Sequence, residues 1–171
     1  MYSLKLTVGF HMNIINAIRK FADIIIHGYS GSGIIYMCGD EVLMQLRRHP
    51  PVWSFVGGGF DRLKDSTLVD TAIREFWEET GIQLDRDHLM NKPVHALGFW
   101  HYRWELYLYC ANQKESVSNA PASFRSEYEK YRYVNLYHYK RDLSEERHKR
   151  TYPFVSYQIK KVQKYLNRKI V

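Results

Sequence analysis

Residues 74–82 read REFWEETGI, and no other stretch limits so tightly what this chain can fold into. Glu75, Glu78 and Glu79 fall within little more than two helical turns, interleaved with Phe76 and Trp77. Ahead of them Thr67 and Asp70 stand in the T-x-x-D spacing of a capping box. After them Gly81 is placed to end the helix in a left-handed conformation. At about 100° per residue, Val69, Ala72, Ile73, Phe76 and Trp77 share one side, which is expected to face a core. The three glutamates share an arc of about 100° on the other side.

That arc is unfavourable on its own. Two carboxylates about 5.5 Å apart repel by ~3 kcal/mol at an effective dielectric near 20, and three acids make three such pairs. Water and salt reduce the repulsion where the face is wet. Arg74 offsets part of it by reaching Glu78 four residues on. The helix dipole adds to it, because acids are disfavoured near a C-terminus. A hard divalent cation would turn the repulsion into binding, since Mg²⁺ takes carboxylate oxygens and water and is completed by substrate phosphates. The other reading is a solvated acidic face, as most charge runs are. The rest of the sequence has to decide between them.

The 171 residues are 45% hydrophobic and 25% charged, the balance of one globular domain rather than a disordered chain. No run approaches the roughly 18 apolar residues that span a bilayer, so no membrane partner is expected. The first 21 residues are interrupted by His11, Asn13, Asn16 and Arg19 and lack a small-residue cleavage site, which argues against a secretory signal. A cytoplasmic location is expected, with the nucleus open. Cys38 and Cys110 lie in apolar runs without ligand-spaced partners and read as reduced core thiols. The formal net charge of +7 favours an anionic partner.

Ile14, Ile18, Phe21, Ala22 and Ile25 recur at helical spacing. They predict an N-terminal amphipathic helix and an extension over residues 1–27, ahead of a main domain over 28–171. Gly28, Gly31 and Gly33 would break that helix. GIIYMCGDEVLMQLRR then reads as a hairpin turning at Gly39-Asp40. A strand is expected from Val52 to Val56, stopping at Gly57–Gly59, and one or two more from Leu97 to Ala111. NQKESVSNAPASFRSE reads as loop and Tyr131 to Leu136 as strand. From Phe154 onward Val155, Ile159, Val162 and Leu166 share a helical face, with Lys160, Lys161, Lys164 and Arg168 off it. Strands interleaved with helices make this an α/β protein in α/β/α layers.

GGGF…TLVDTAIREFWEETGI closely resembles the Nudix box, G-x5-E-x7-R-E-U-x-E-E-x-G-U, with Arg74, Glu75, Phe76, Trp77, Glu78, Glu79, Thr80, Gly81 and Ile82 matching its second half. VLMQLRR and WSFVGGG are similar to the family's approach to the box, with Val56 where proline is usual. Strict spacing would put glutamate at Ser66 and glycine at Phe60. One or two extra residues are therefore expected in the 62–66 loop, with Asp65 as the first candidate for the loop carboxylate. EVLMQLRR and the longer loop also resemble the small-nucleolar-RNA decapping and inosine-diphosphatase branch.

The resemblance implies a Nudix-type α/β/α sandwich with a mixed sheet. It also implies hydrolysis of a pyrophosphate joining a nucleoside to a group X: a phosphate, a sugar, a second nucleoside or a capped RNA. Glu75, Glu78 and Glu79 would hold Mg²⁺ or Mn²⁺. Arg74 would orient them, and amides of the Gly58-Gly59 stretch would approach the phosphates. SEYEKYRYV resembles the family's distal segment that often carries the general base; Glu127 is the first candidate, with Glu129 and Glu78 as alternatives. Phe99, Trp100, Tyr102 and Trp104 offer stacking faces for a base. Arg47, Arg48, Arg103 and the C-terminal lysines offer charge for phosphates or an RNA backbone. The expected partner is a nucleotide-type small molecule, with RNA and a homodimer left open. The competing reading is a catalytically inactive nucleotide or RNA sensor on the same fold.

Overall fold

The computed structural model describes residues 29–99, 101–117, 128–144, 150–151 and 154–169. The N-terminal helix expected over 1–27, Trp100 and Glu127 lie outside the described residues.

Strands β1 (Tyr29–Cys38) and β2 (Glu41–Arg47) form the expected hairpin, turning at Gly39, whose φ of 57° suits glycine. They pair antiparallel only next to the turn, at Met37↔Val42 and Cys38↔Glu41, and then take different neighbours. β1 receives β4 (Val56–Gly59) antiparallel on one edge and β6 (Tyr102–Ala111) parallel along its length. β2 receives β3 (Val52–Ser54) and β7 (Tyr128–Asn135), both antiparallel. β5 (His95–Phe99) flanks β6, and β8 (Arg150–Thr151) runs parallel to β3, completing a mixed sheet.

Side chains alternate across a strand, and β1 shows why the sheet has a helix on each face. Ile34 and Tyr36 point one way, joining Leu43, Val56 and Tyr107 beneath α1 (Leu68–Thr80), which contributes Ala72 and Phe76. Ile35 and Met37 point the other way, joining Met44, Leu46, Trp53 and Leu108 beneath α3 (Val155–Lys169), which contributes Val155, Ile159 and Val162. The short α2 (Tyr139–Ser144) adds Tyr139 and Leu143 to this second layer. A fully buried side chain such as Phe76 contributes about 1.5–3 kcal/mol. No helix among the described residues is long and apolar enough to cross a membrane.

Four expectations are corrected. The first strand begins at Tyr29 rather than at Gly33, where the hairpin was expected to open, because the continuous pairing with β6 carries Gly31 and Gly33 as strand. The strand expected over 52–56 breaks at Phe55, and Gly57–Gly59 belong to β4 rather than to a turn. Trp77 is 44% exposed, because it sits at the edge of the apolar arc; Thr71, Glu78 and Glu79 are buried on the other flank. The cysteines are not core residues: Cys38 is half-buried near the β1 turn and Cys110 is exposed, and neither is in a disulfide.

Candidate active site

The position of the glutamates is set first by the ends of α1. Thr67 is the N-cap: its Oγ1 accepts from the Asp70 N–H at 3.2 Å, and its own N–H donates to Asp70 Oδ2 at 2.8 Å. Gly81 closes the helix at φ 75°, donating its N–H to the Trp77 carbonyl at 2.8 Å. The last turn carries no basic residue to answer its acids.

Arg74 supplies the answering charge. Its Nε and NH2 donate to the two oxygens of Asp65, both at 2.7 Å. Its NH1 donates to Glu75 at 2.8 Å and to Glu78 at 2.9 Å, and NH2 also reaches the Gly59 carbonyl at 3.0 Å. Asp65 is buried and further accepts from the Asp61 N–H at 2.9 Å and Thr71 Oγ1 at 3.0 Å. Burial alone would raise the Asp65 carboxyl, but the Arg74, Asp61 and Thr71 hydrogen bonds and the Arg74 charge hold it below its ordinary value. The Asp65 hydrogen bonds in turn keep Arg74 protonated.

Asp65 therefore fixes the arginine that fixes the glutamates. Its spacing also locates the irregularity in the box. Five residues separate Gly59 from Asp65, as in G-x5-E, and eight separate Asp65 from Arg74. With Asp65 in the place of the loop glutamate, one extra residue falls between Asp65 and Arg74, and the 62–66 loop runs on through Ser66 to the Thr67 cap.

Glu75 and Glu79 sit in different surroundings. The glycine strand β4 lies directly against Glu75: a Cβ on Gly58 would collide with both oxygens and the carboxyl carbon of that side chain. The glycines thus give the helix carboxylate access to the strand, rather than forming the turn expected from sequence. Gly58→Ala should push Glu75 out of place and weaken Mn²⁺ binding at least tenfold in isothermal titration calorimetry. Unchanged affinity would show that Glu75 can relocate without consequence. Burial raises the Glu75 carboxyl, with Arg74 opposing. Glu79 is buried, and desolvation, aided by the charge of Glu75, pushes it up to about 8 against hydrogen bonds from Tyr128, Gln45 and Gly57. The Tyr128 hydroxyl donates to Glu79 Oε1, and the Gly57 N–H donates to Oε2 at 3.3 Å.

These groups form one wall of a cleft of about 960 Å³, within the range of small-molecule sites. Arg74, Glu75, Glu78 and Glu79 line it together with Gly58, Gly59 and Arg47, whereas Asp65, Glu129, Arg48 and Arg103 do not. Glu129 is exposed on β7. Tyr29, Tyr102, Trp104 and Phe154 also line the cleft, and Tyr29 stacks on Tyr102 with ring centroids 5.6 Å apart. Arg48 instead donates to the Tyr128 carbonyl, and Arg103 pairs with Glu105 outside the cleft. Sequence reasoning missed Tyr128, Gln45 and Thr71. Gln45 had a readable signal, as the one polar residue inside the run VLMQL.

The family model described as the NUDIX domain matches residues 30–155. The chain belongs to the Nudix family. Nudix proteins of known structure share its fold. MutT NUDIX hydrolase from Burkholderia pseudomallei aligns at a TM-score of 0.58 and 17% identity over 78% of this chain and 97% of that one. The Ap4A hydrolase of C. elegans, as a binary complex, aligns at 0.53 and 17% over 80% and 98%. A bifunctional NMN adenylyltransferase/ADP ribose pyrophosphatase from Francisella tularensis, complexed with AMP and a Mn ion, aligns at 0.55 and 21% over 78% of this chain. This chain spans only 40% of that longer one. No curated protein matches the sequence. By family, the chain is a Nudix pyrophosphohydrolase.

Nudix hydrolases generally use divalent metals, and the donor chemistry here fits one. Three glutamates on one cleft wall supply hard oxygen ligands, and Gly58 leaves the space that Glu75 occupies. Among the described residues no three His, Cys, Asp or Glu groups converge at metal-ligand geometry. The Arg74 guanidinium stands between Glu75 and Glu78 in this arrangement.

Proposed function

We propose that this Nudix chain hydrolyses the pyrophosphate bond of a nucleoside diphosphate linked to X, with Mg²⁺ or Mn²⁺ held by Glu75, Glu78 and Glu79. One observation carries the reading: an acid-lined wall and an aromatic end share a single cleft. A diphosphate needs the first and a nucleobase can stack on the second. Bound there, a divalent ion would neutralise phosphate charge and polarise the attacking water.

The protein's own residues have separable tasks. Thr71 holds Asp65, Asp65 holds Arg74, and Arg74 holds Glu75 and Glu78 until an ion competes for their oxygens. Arg47 supplies positive charge in the same cleft for phosphate oxygens. Of the base candidates, Glu78 lines the cleft and is the one we place within reach of a water on the phosphate; Glu127 is the second candidate, to be compared by substitution.

The test is a panel of NADH, ADP-ribose, dinucleoside polyphosphates, IDP, 8-oxo-dGTP and capped RNA with Mg²⁺ or Mn²⁺. Turnover of one member by the wild type, lost by at least a hundredfold in Glu79→Gln, is the expected outcome. Tight binding across the panel with no turnover would replace this proposal with the sensor reading.

A further inference from the structure

We propose that Tyr128 is a positioning residue whose hydroxyl, with the Gly57 amide, clamps the Glu79 carboxylate into the orientation in which it receives a divalent cation. The inference rests on the metal reading above and names a residue of β7 that the box does not contain.

A carboxylate on a helix has three side-chain torsions and would lose rotational freedom on binding an ion. Glu79 has lost it already. Tyr128 holds Oε1 from β7, across 49 residues of sequence, and Gly57 holds Oε2 from β4 at 3.3 Å. Held at both oxygens, the group keeps its plane at the cleft that it lines. The backbone beneath it is tied as well, because the Tyr131 hydroxyl donates to the Glu79 carbonyl at 2.7 Å. Tyr128 and Tyr131 therefore hold the same residue at different atoms, the first at the ligand group and the second at the main chain.

Gln45 completes the setting from β2. It is buried, donates Nε2 to the Phe55 carbonyl at 3.3 Å and lies beside the Glu79 carboxylate. Its Oε1 has no hydrogen-bond partner. An amide placed so, in an otherwise apolar strand, blocks Glu79 from turning toward β2. Four elements thus meet at one carboxylate: α1 carries it, and β2, β4 and β7 fix it. Partners that orient a metal ligand in this way typically change metal affinity by about 10–100-fold when removed.

The test is Mn²⁺ affinity by electron paramagnetic resonance for wild type, Tyr128→Phe, Tyr131→Phe, Glu79→Gln and the double variant Tyr128→Phe/Glu79→Gln, with thermal unfolding recorded for each. Tyr128→Phe should weaken Mn²⁺ binding about tenfold or more while keeping the wild-type Tm within a few degrees. Tyr131→Phe should lower Tm with less effect on affinity. In the Glu79→Gln background, Tyr128→Phe should produce no further loss, since the group it orients is gone. Additive losses in the double variant, or wild-type affinity in Tyr128→Phe, would overturn the clamp while leaving the metal reading intact. A wild-type protein that binds no Mn²⁺ would remove both. Should Tyr128→Phe fail to fold, Gln45→Met reads the same carboxylate from the other side and should also weaken Mn²⁺ binding; wild-type affinity there would overturn the proposal.

Discussion

Arg74→Ala should destabilise the protein by about 3–5 kcal/mol, the loss typical when one partner of a buried ion pair is removed. The arginine is the shared donor of three acids whose side chains are only 1% (Asp65), 17% (Glu75) and 12% (Glu78) exposed. Without it Asp65 keeps hydrogen bonds from Thr71 and the Asp61 amide but no counter-charge, and Glu75 and Glu78 repel across the helix. Arg74→Lys should fall between, because an ammonium restores charge but cannot make the paired bonds to Asp65 at both oxygens. Urea unfolding of the three proteins measures this. Adding Mn²⁺ should return part of the lost stability to Arg74→Ala, because a ligand bound only by the folded state stabilises it by mass action. A loss below about 1 kcal/mol would show the acids to be effectively hydrated and would undo the account of Arg74 as the organiser of the wall.

Glu79→Gln should do two opposite things: abolish turnover and remove a pH dependence of stability. The folded carboxyl titrates at about 8 against an ordinary 4.5, so between those values the folded state retains a proton that the unfolded chain has released. Stability from this group is therefore full below about pH 4.5 and declines as pH rises toward 8. At about 1.4 kcal/mol per pH unit, the decline reaches at most about 5 kcal/mol. Glutamine does not titrate, so the variant should be flatter over that window and more stable than wild type at pH 8.5. A divalent cation should reverse the order, because binding requires the ionised carboxylate and grows with pH. Thermal unfolding at pH 5 and pH 8.5, with and without Mn²⁺, checks both signs. Parallel pH profiles for the two proteins would mean that Glu79 is already ionised in the metal-free fold.

What could be read from the sequence was local. The capping box, Gly81, the Gly39-Asp40 hairpin and the inner face of α3 each depend on residues within a few positions of one another, and the structure has all four. The carboxylate trio was legible for the same reason. The rest depends on distant pairings. That Gly58 is needed for the approach of Glu75 can be known only once α1 lies on β4. Tyr128 lies before the strand expected from Tyr131, and only the pairing of β7 with β2 places its hydroxyl on Glu79. Trp77 misled because an average helical wheel has no way to show that the polar flank, with Thr71, Glu78 and Glu79, packs more deeply than the apolar edge. Asp65 was named as the loop acid, yet its register became clear only from its two bonds to Arg74.

The forked grip of Arg74 bears on how an ion would come and go. Two of its bonds hold Asp65, which does not line the cleft, and two others hold Glu75 and Glu78, which do. An incoming cation competes for the second pair alone, so the guanidinium stays moored while its outer hand is freed. Were an ion to bind there, it would displace one guanidinium nitrogen from two carboxylates without unseating the arginine, and on its departure the same nitrogen would return as their counter-charge.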